Sequence, residues 1–220
     1  MEGIDVSYAQ ADQQGEKWVS LIDWKAAAAA GKEYAIIKAT QGCTVSDTGA
    51  MAHATGAKAA GLKIGYYHFA NVNRVPKDEA AHFDAVVKTL PHADIVPALD
   101  IEINNDSDQA KQEGLKPLTP AQMQEWIQGY LDAMAGLGYP TVVIYSDAGF
   151  LNGNLPASHP FGKIPLWLAQ YSDEAAPVLP TGWNEYVMWQ YSSAGKFPVP
   201  VDLDRCDTLP LVDGSLLLPN

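Results

Sequence analysis

The stretch Val96-Pro97-Ala98-Leu99-Asp100-Ile101-Glu102 decides how the chain is read. It is apolar along most of its length and ends in two acids two positions apart. Side chains on a strand alternate between faces, so Ala98, Asp100 and Glu102 share one face while Pro97, Leu99 and Ile101 share the other. Apolar residues on both faces predict a strand covered on both sides. Acids beside such a core are costly unless solvated, hydrogen-bonded or paired. Their place at the strand's C-terminal end, followed by the polar run Asn104-Asn105-Asp106-Ser107-Asp108, predicts the mouth of a site.

Working outward, strands and helices alternate. Gly3 to Tyr8 predicts a first strand, with Ile4 and Val6 on one face and Asp5 and Ser7 on the other. Asp23 caps a helix from Trp24 to Ala30, which Gly31 stops. Tyr34 to Thr40 and Lys63 to Phe69 predict further strands, with an alanine-rich helix from Met51 to Ala60 between them. Ala80, Phe83, Val87 and Leu90 form one apolar stripe of a helix over Asp78 to Leu90. Thr119-Pro120-Ala121-Gln122 is a helix start, with a Thr cap, Pro in the first turn and Gln three residues after the cap. Thr141 to Tyr145 predicts a fifth strand. Beyond it the rhythm changes to Pro165 to Tyr171, Tyr186 to Tyr191 and Pro200 to Asp204, three strands with few helices between them. About five strand-helix units and then three strands give an α/β class and the strand number of a closed barrel. An open doubly wound sheet is the competitor, but no nucleotide-type glycine fingerprint follows an early strand.

The 220 residues, 47% hydrophobic, suffice for one core. We expect a single catalytic domain over residues 1–210 and a tail over 211–220, with Leu216-Leu217-Leu218 packing back on the domain or forming the stub of a linker. The formal charge of -12, from 26 acids and 14 bases, disfavours nucleic acid and anionic lipid. No segment reads as a secretory signal or as a bilayer-spanning run, so no membrane insertion is expected. Cys43 and Cys206 make no disulfide framework. No HExxH, CxxC, clustered histidine pattern or GxSxG elbow is present, so neither zinc nor a hydrolase-type serine is expected. His68 reads as a neutral hydrogen-bonding residue near the core, and His82 and His92 as surface residues.

Three strands carry acids on one face: Asp5, the pair Asp100 and Glu102, and the pair Asp202 and Asp204. In a barrel the first and last strands are neighbours, which brings Asp5 towards Asp202 with the central pair across the mouth. Crowded carboxyls raise one another's pKa, so one stays protonated while another is ionised. Glycosidic cleavage needs such a pair, an acid for the leaving oxygen and a base, nucleophile or charge stabiliser opposite. The alternative is that these are strand-end surface acids and a cap. Aromatic residues at strand ends, among them Tyr66, Tyr67, Phe69, Trp167, Tyr171, Trp189 and Tyr191, suit the flat faces of sugars and equally fill cores.

An ordered set of motifs resembles the family 25 glycoside hydrolases, the Chalaropsis-type lysozymes or N-acetylmuramidases. The set comprises Gly3-Ile4-Asp5-Val6-Ser7, Ile36 to Gly42, Gly65-Tyr66-Tyr67-His68-Phe69-Ala70, Leu99 to Glu102, Ile144-Tyr145-Ser146, Trp167 to Tyr171, Trp189 to Ser193 and Val201 to Asp204. The resemblance implies an irregular, TIM-barrel-like (β/α) barrel of five β/α units and three more strands. It implies cleavage of the β-1,4 bond between N-acetylmuramic acid and N-acetylglucosamine in peptidoglycan glycan strands, at the bacterial cell wall and without a cofactor or metal. Glu102 falls on the general acid, Asp100 on the partner that steadies the reacting group, and Asp5 and Asp202 on two further site acids. Asp202 matches the family position better than Asp204. Tyr67, Trp167, Trp189, Gln190 and Tyr191 fall on groove-lining positions. The approach Gly195 to Pro200 and the segment Arg205-Cys206-Asp207 depart from the family pattern. A phage-encoded lysis protein or non-classical release fits the lack of an evident export signal, and a separate wall-binding or particle component would supply anchoring. A metal-dependent phosphodiesterase and a catalytically silent glycan binder are the competing readings.

Overall fold

The computed structural model describes residues 1–104, 112, 114–214 and 216–217. The first half of the chain contains β1 (Glu2–Val6), β2 (Ala11–Gln14), β3 (Lys17–Ser20), α1 (Trp24–Ala29), β4 (Lys32–Gln41), β5 (Val45–Ser46), α2 (Ala50–Ala59), β6 (Lys63–Phe69), α3 (Pro76–Val87) and β7 (Ala98–Asp100). Then follow α4 (Pro120–Gly136), β8 (Val143–Asp147), α5 (Ala148–Asn154), β9 (Leu166–Ala169), β10 (Met188–Lys196), β11 (Pro200–Arg205), β12 (Leu209–Pro210) and β13 (Leu216–Leu217). Strands β1, β11, β10, β9, β8, β7, β6 and β4 are hydrogen-bonded in that order, and β4 pairs back onto β1, which closes the barrel. This excludes the open sheet.

Helix starts follow local chemistry. Asp23 accepts from the Ala26 amide at 2.9 Å to cap α1. Thr119 and Gln122 form the reciprocal capping box at α4. Each such cap stabilises its helix by about 1 kcal/mol. The short helix α5, absent from the sequence reading, begins where Asp147 accepts from the Phe150 amide at 2.9 Å. It supplies the fifth β/α unit. The hairpin β2–β3 was also not expected; it turns at Gly15, whose φ of 65° suits a residue without a Cβ.

Strand alternation divides the core in two. Outward residues such as Ile4, Ile37, Ile64, Leu99 and Ile144 pack beneath the helices together with Phe83, Ile127 and Tyr130. Inward residues Tyr34, Ile36, Tyr67, Ala98, Val143, Tyr145, Trp167 and Met188 fill the barrel. β11 runs antiparallel to both β1 and β10, whereas the other neighbours in the barrel are parallel. This reversal brings the start of β11 to the same end as the finish of β1, so Asp202 stands directly opposite Asp5 and Asp204 opposite Gly3.

At the other end, Leu211 bridges Ile95, and β12 pairs with β13. Of the polar run after β7, only Asn104 lies within the described residues. Its side chain accepts from Leu118 N at 2.7 Å and donates to Leu118 O at 2.9 Å, tying the exit of β7 to the approach of α4. Residues 105–108 and Leu218 fall outside the described residues.

Gly3 leaves space that the Tyr34 ring occupies; a Cβ there would overlap ring carbons. Gly3→Ala should therefore lower stability by about 1–3 kcal/mol. Urea unfolding would show a lower midpoint at an unchanged slope. A wild-type midpoint would mean the ring moves aside freely.

Candidate active site

The inward faces of the strands end in a cleft at the carboxyl ends of the parallel strands. Asp5, Lys38, Tyr67, Phe69, Asp100, Glu102, Tyr145, Trp167, Gln190 and Asp202 line its floor, a cavity of about 150 Å³. A larger hollow of about 680 Å³ lies between the C-terminal end of α3 and the segment Leu211 to Gly214. It contains none of the clustered acids, so the smaller cleft is the site with reactive chemistry.

β7 contributes Asp100 and, just past its end, Glu102 on the same face. Asp100 is buried, and its Oδ1 has no hydrogen-bond partner among the described residues. Burial, and then the neighbouring charge of Glu102, push its carboxyl well above the ordinary carboxylate range. Glu102 opens onto the cleft. Partial desolvation by the cleft walls, then Asp147 and Asp202, raise its pKa, while Lys38 opposes them. Asp147, not singled out in the sequence, thus acts on Glu102 from the next strand.

Opposite stand Asp5 and Asp202. Asp5 is pushed up to about 7, first by burial and then by Asp202, against the Gln190 hydrogen bond and Asp204, which lower it. Asp202 is half-buried and also raised by desolvation. Gln190 Nε2 donates to Asp5 Oδ2 at 2.8 Å. The orientation of that amide is fixed by two hydroxyls: Tyr145 and Tyr171 each donate to Gln190 Oε1 at 2.9 Å. Tyr171 is otherwise 56% exposed at the rim.

Lys38 is the cation of this floor. It follows Tyr34 and Ile36 on the inward parity of β4. Its ammonium donates to Gln41 Oε1 at 2.9 Å and lies 4.5 Å from the Phe69 ring centre. Burial lowers its pKa, and the negative charges of Asp100, Asp47 and Glu102 pull it back up.

Trp167 and Tyr67 both line the cleft, with ring centres 6.4 Å apart. Trp189 and Tyr191 do not line it. They flank Gln190 on β10, so alternation turns them to the outer face. There Trp189 Nε1 donates to Gln170 O at 2.7 Å and Tyr191 donates to Glu2 Oε2 at 2.8 Å. The Arg205 guanidinium covers the Trp189 ring at 3.9 Å. His68 is buried between Thr40 Oγ1 and Glu79 Oε2, both at 2.7 Å, outside the cleft. Burial lowers its pKa, in keeping with a neutral ring. Among the described residues, no three of His, Cys, Asp and Glu are grouped to hold a metal ion.

Known proteins resemble this chain in sequence and in fold. The model of the glycosyl hydrolases family 25 matches residues 4–199. The chain is 31% identical over 215 residues to Lysozyme M1 of Streptomyces globisporus, covering 93% of this chain and 66% of that protein. It is 29% identical over 221 residues to the autolytic lysozyme of Clostridium acetobutylicum, covering 99% of this chain and 59% of that protein. The chain therefore spans less than two thirds of the length of each of these curated relatives. Among solved structures, the bacterial lysozyme from Streptomyces coelicolor matches with a TM-score of 0.76 at 28% identity, over 94% of this chain and 92% of that one. A muramidase from Trichobolus zukalii matches with a TM-score of 0.73 at 27% identity, over 94% and 93%.

The crowded acids make stability depend on pH with a definite sign. A carboxyl whose folded pKa is raised stabilises the fold while protonated, and that contribution is lost as pH rises through the folded value. For Asp5 the loss runs from 3.8 to about 7. Buried His53, lowered from 6.5 to about 4 by burial, acts in the opposite sense but only below 6.5. The melting temperature of the wild type relative to Asp5→Asn should therefore fall as pH rises from 3.8 to about 7, and level off above it. A flat or rising curve in that window would contradict the assignment.

Proposed function

Because this chain belongs to the glycosyl hydrolases family 25, whose model matches residues 4–199, we propose that it is a peptidoglycan hydrolase acting at the bacterial cell wall. The bond cut is the β-1,4 linkage between N-acetylmuramic acid and N-acetylglucosamine, and residues 1–210 form the catalytic domain. The observation that carries the reading is the pair Asp100 and Glu102, on one face at the end of β7, across the cleft from Asp5 and Asp202 in direct register.

Glu102 acts as general acid. It opens onto the cleft where a glycosidic oxygen can approach, and the upward shift of its pKa by desolvation favours the protonated form that a general acid needs. Asp100 receives the acetamido N–H of the muramic acid unit. Its buried Oδ1 lacks a donor, and an arriving N–H satisfies it. That hydrogen bond favours the ionised carboxylate, as does the nearby Lys38 charge. The carboxylate then orients the acetamido oxygen towards the anomeric carbon and stabilises the positive charge of the oxazolinium that forms. Glu102, now ionised, takes a proton from the entering water. The acetamido oxygen displaces the leaving sugar with inversion as Glu102 protonates that sugar's oxygen, and water opens the oxazolinium with a second inversion, so the anomeric configuration is retained. Asp5 and Asp202 form the opposite wall, and Tyr67 and Trp167 supply the apolar surface beside the sugar ring.

The fragments released from purified peptidoglycan test the bond assignment. Mass spectrometry should find muramic acid at the new reducing ends, whereas reducing-end glucosamine or free peptides would overturn it. Glu102→Gln should reduce release by about 100- to 10,000-fold while leaving the circular dichroism spectrum and melting temperature near wild type. A fully active variant would remove Glu102 from the acid role. EDTA should leave the rate unchanged; a chelator-sensitive rate would favour the metal-dependent phosphodiesterase.

A further inference from the structure

One buried acid beneath the cleft, Asp204, has no part in the scheme above. Asp204 is fully buried one layer below Asp202, between Gly3 of β1 and Gln190 of β10. Its Oδ1 accepts the Trp167 indole N–H at 2.9 Å. Its Oδ2 is buried and receives no donor among the described residues. The nearby Tyr34 hydroxyl does not fill that role, since it too is without a partner. The carboxyl of Asp5 lies within hydrogen-bonding reach. Asp5 Oδ2 is already committed as an acceptor, because the two tyrosines fix Gln190 with its amide nitrogen towards it. Two facing buried carboxyls, each an acceptor when ionised, repel strongly unless a proton lies between them.

We propose that Asp204 is a positioning residue for the hydrolase, holding one proton that it donates to Asp5, so that the pair carries a single negative charge and the cleft wall stays closed around it. This rests on the hydrolase reading for its kinetic consequence, but not for its structural one. The proton remains on Asp204 throughout the reaction, and no bond to substrate forms there. When it is lost at alkaline pH, the two carboxylates separate and Asp5 leaves its place opposite Asp202.

The surrounding groups agree with a shared proton. Burial, then Asp5, push Asp204 well above the ordinary range, and Asp202 adds to this. Tyr34, Tyr67 and Tyr145 are all raised by burial and remain neutral neighbours. So does Tyr171 at the rim, and the Cys206 thiol is pushed up to about 11. From β7, Glu102 raises Asp5, and Asp5 in turn raises Asp100. Lys38, the cation of the cleft floor, acts on Asp100, Glu102 and Asp47 rather than on this pair. β9 and β10 contribute only the neutral donors Trp167 and Gln190.

Asp204→Asn tests this directly, because an amide can donate to Asp5 and accept from Trp167 at every pH. The alkaline limb of kcat/KM on peptidoglycan should move up by about one pH unit or more. Asp204→Ala, which cannot donate, should lower kcat more than it raises KM. Independently of turnover, infrared difference spectra of the wild type between neutral and alkaline pH should contain a protonated-carboxyl C=O band that disappears in Asp204→Asn. If the wild type shows no peptidoglycan cleavage but the band behaves so, the hydrolase reading fails and the proton pair stands. If the wild type cleaves, and Asp204→Asn superimposes on it in both pH profile and infrared band, the pair is overturned. Failure of Asp204→Ala to fold leaves the Asp204→Asn comparison and the infrared band as the deciding measurements.

Discussion

The cost of keeping several carboxyl groups inside a low-dielectric barrel constrains the rest of this structure. Asp5, Asp100 and Asp204 are each less than a tenth exposed. Unpaired, each would oppose folding by several kcal/mol. The protein meets this cost with few cations. It supplies neutral donors instead: the Gln190 amide to Asp5 and the Trp167 indole to Asp204. Both donors are inward residues of the helix-poor side of the barrel. The polar wall and the late strands that form it are therefore one design, in which chemistry and closure depend on the same side chains.

That helix-poor side also needs a cover. On β4, β6, β7 and β8 the outward residues are buried under helices. On β10, the outward aromatic residues have side chains over them, including Arg205 of β11. Arg205 stacks on Trp189 at 3.9 Å and lies 5.0 Å from the Tyr191 ring centre. Glu2 accepts from Tyr191 and from Lys32. An arginine over an aromatic face keeps its charge hydrated while its planar body excludes water from the ring. Trp189 and Tyr191 therefore hold in place the strand that carries Gln190, and they affect the cleft through it.

The sequence made most of the fold legible because period and punctuation agreed. Asp23, Thr119 and Gln122 act as the caps they resemble, and the alternation in Ala98 to Glu102 survives intact. The same alternation was legible in Trp189-Gln190-Tyr191, where it separates an inward amide from two outward rings. The attraction of aromatic residues to sugars obscured it. Lys38 was legible by parity with Tyr34 and Ile36, yet a lone lysine in a strand carries no signal until the acids facing it are known. The short helix α5 was hidden because seven residues give too few turns for a period to emerge. The partnership of Asp204 with Asp5 was beyond local reading altogether. It depends on residues 199 positions apart meeting through the reversal of β11.

That reversal explains why the two acids of Val201-Asp202-Leu203-Asp204 differ so much in environment despite sharing a face. Along an inward face, successive same-side residues are about 6–7 Å apart. In a barrel open at one end, one such step separates a half-exposed carboxyl from a fully buried one. Asp202, at the mouth beside Asp5, remains half-solvated and can carry charge. Asp204, one step deeper, reaches the layer of Tyr34 and Trp167, where charge is costly and a fixed proton is favoured. On β7 the same step runs in the opposite sense, from buried Asp100 to open Glu102. Each pair thus contains one carboxyl open to the cleft and one, Asp100 or Asp204, whose charged form the interior disfavours. A two-residue spacing produces this asymmetry on both walls, and it follows from strand geometry and depth alone.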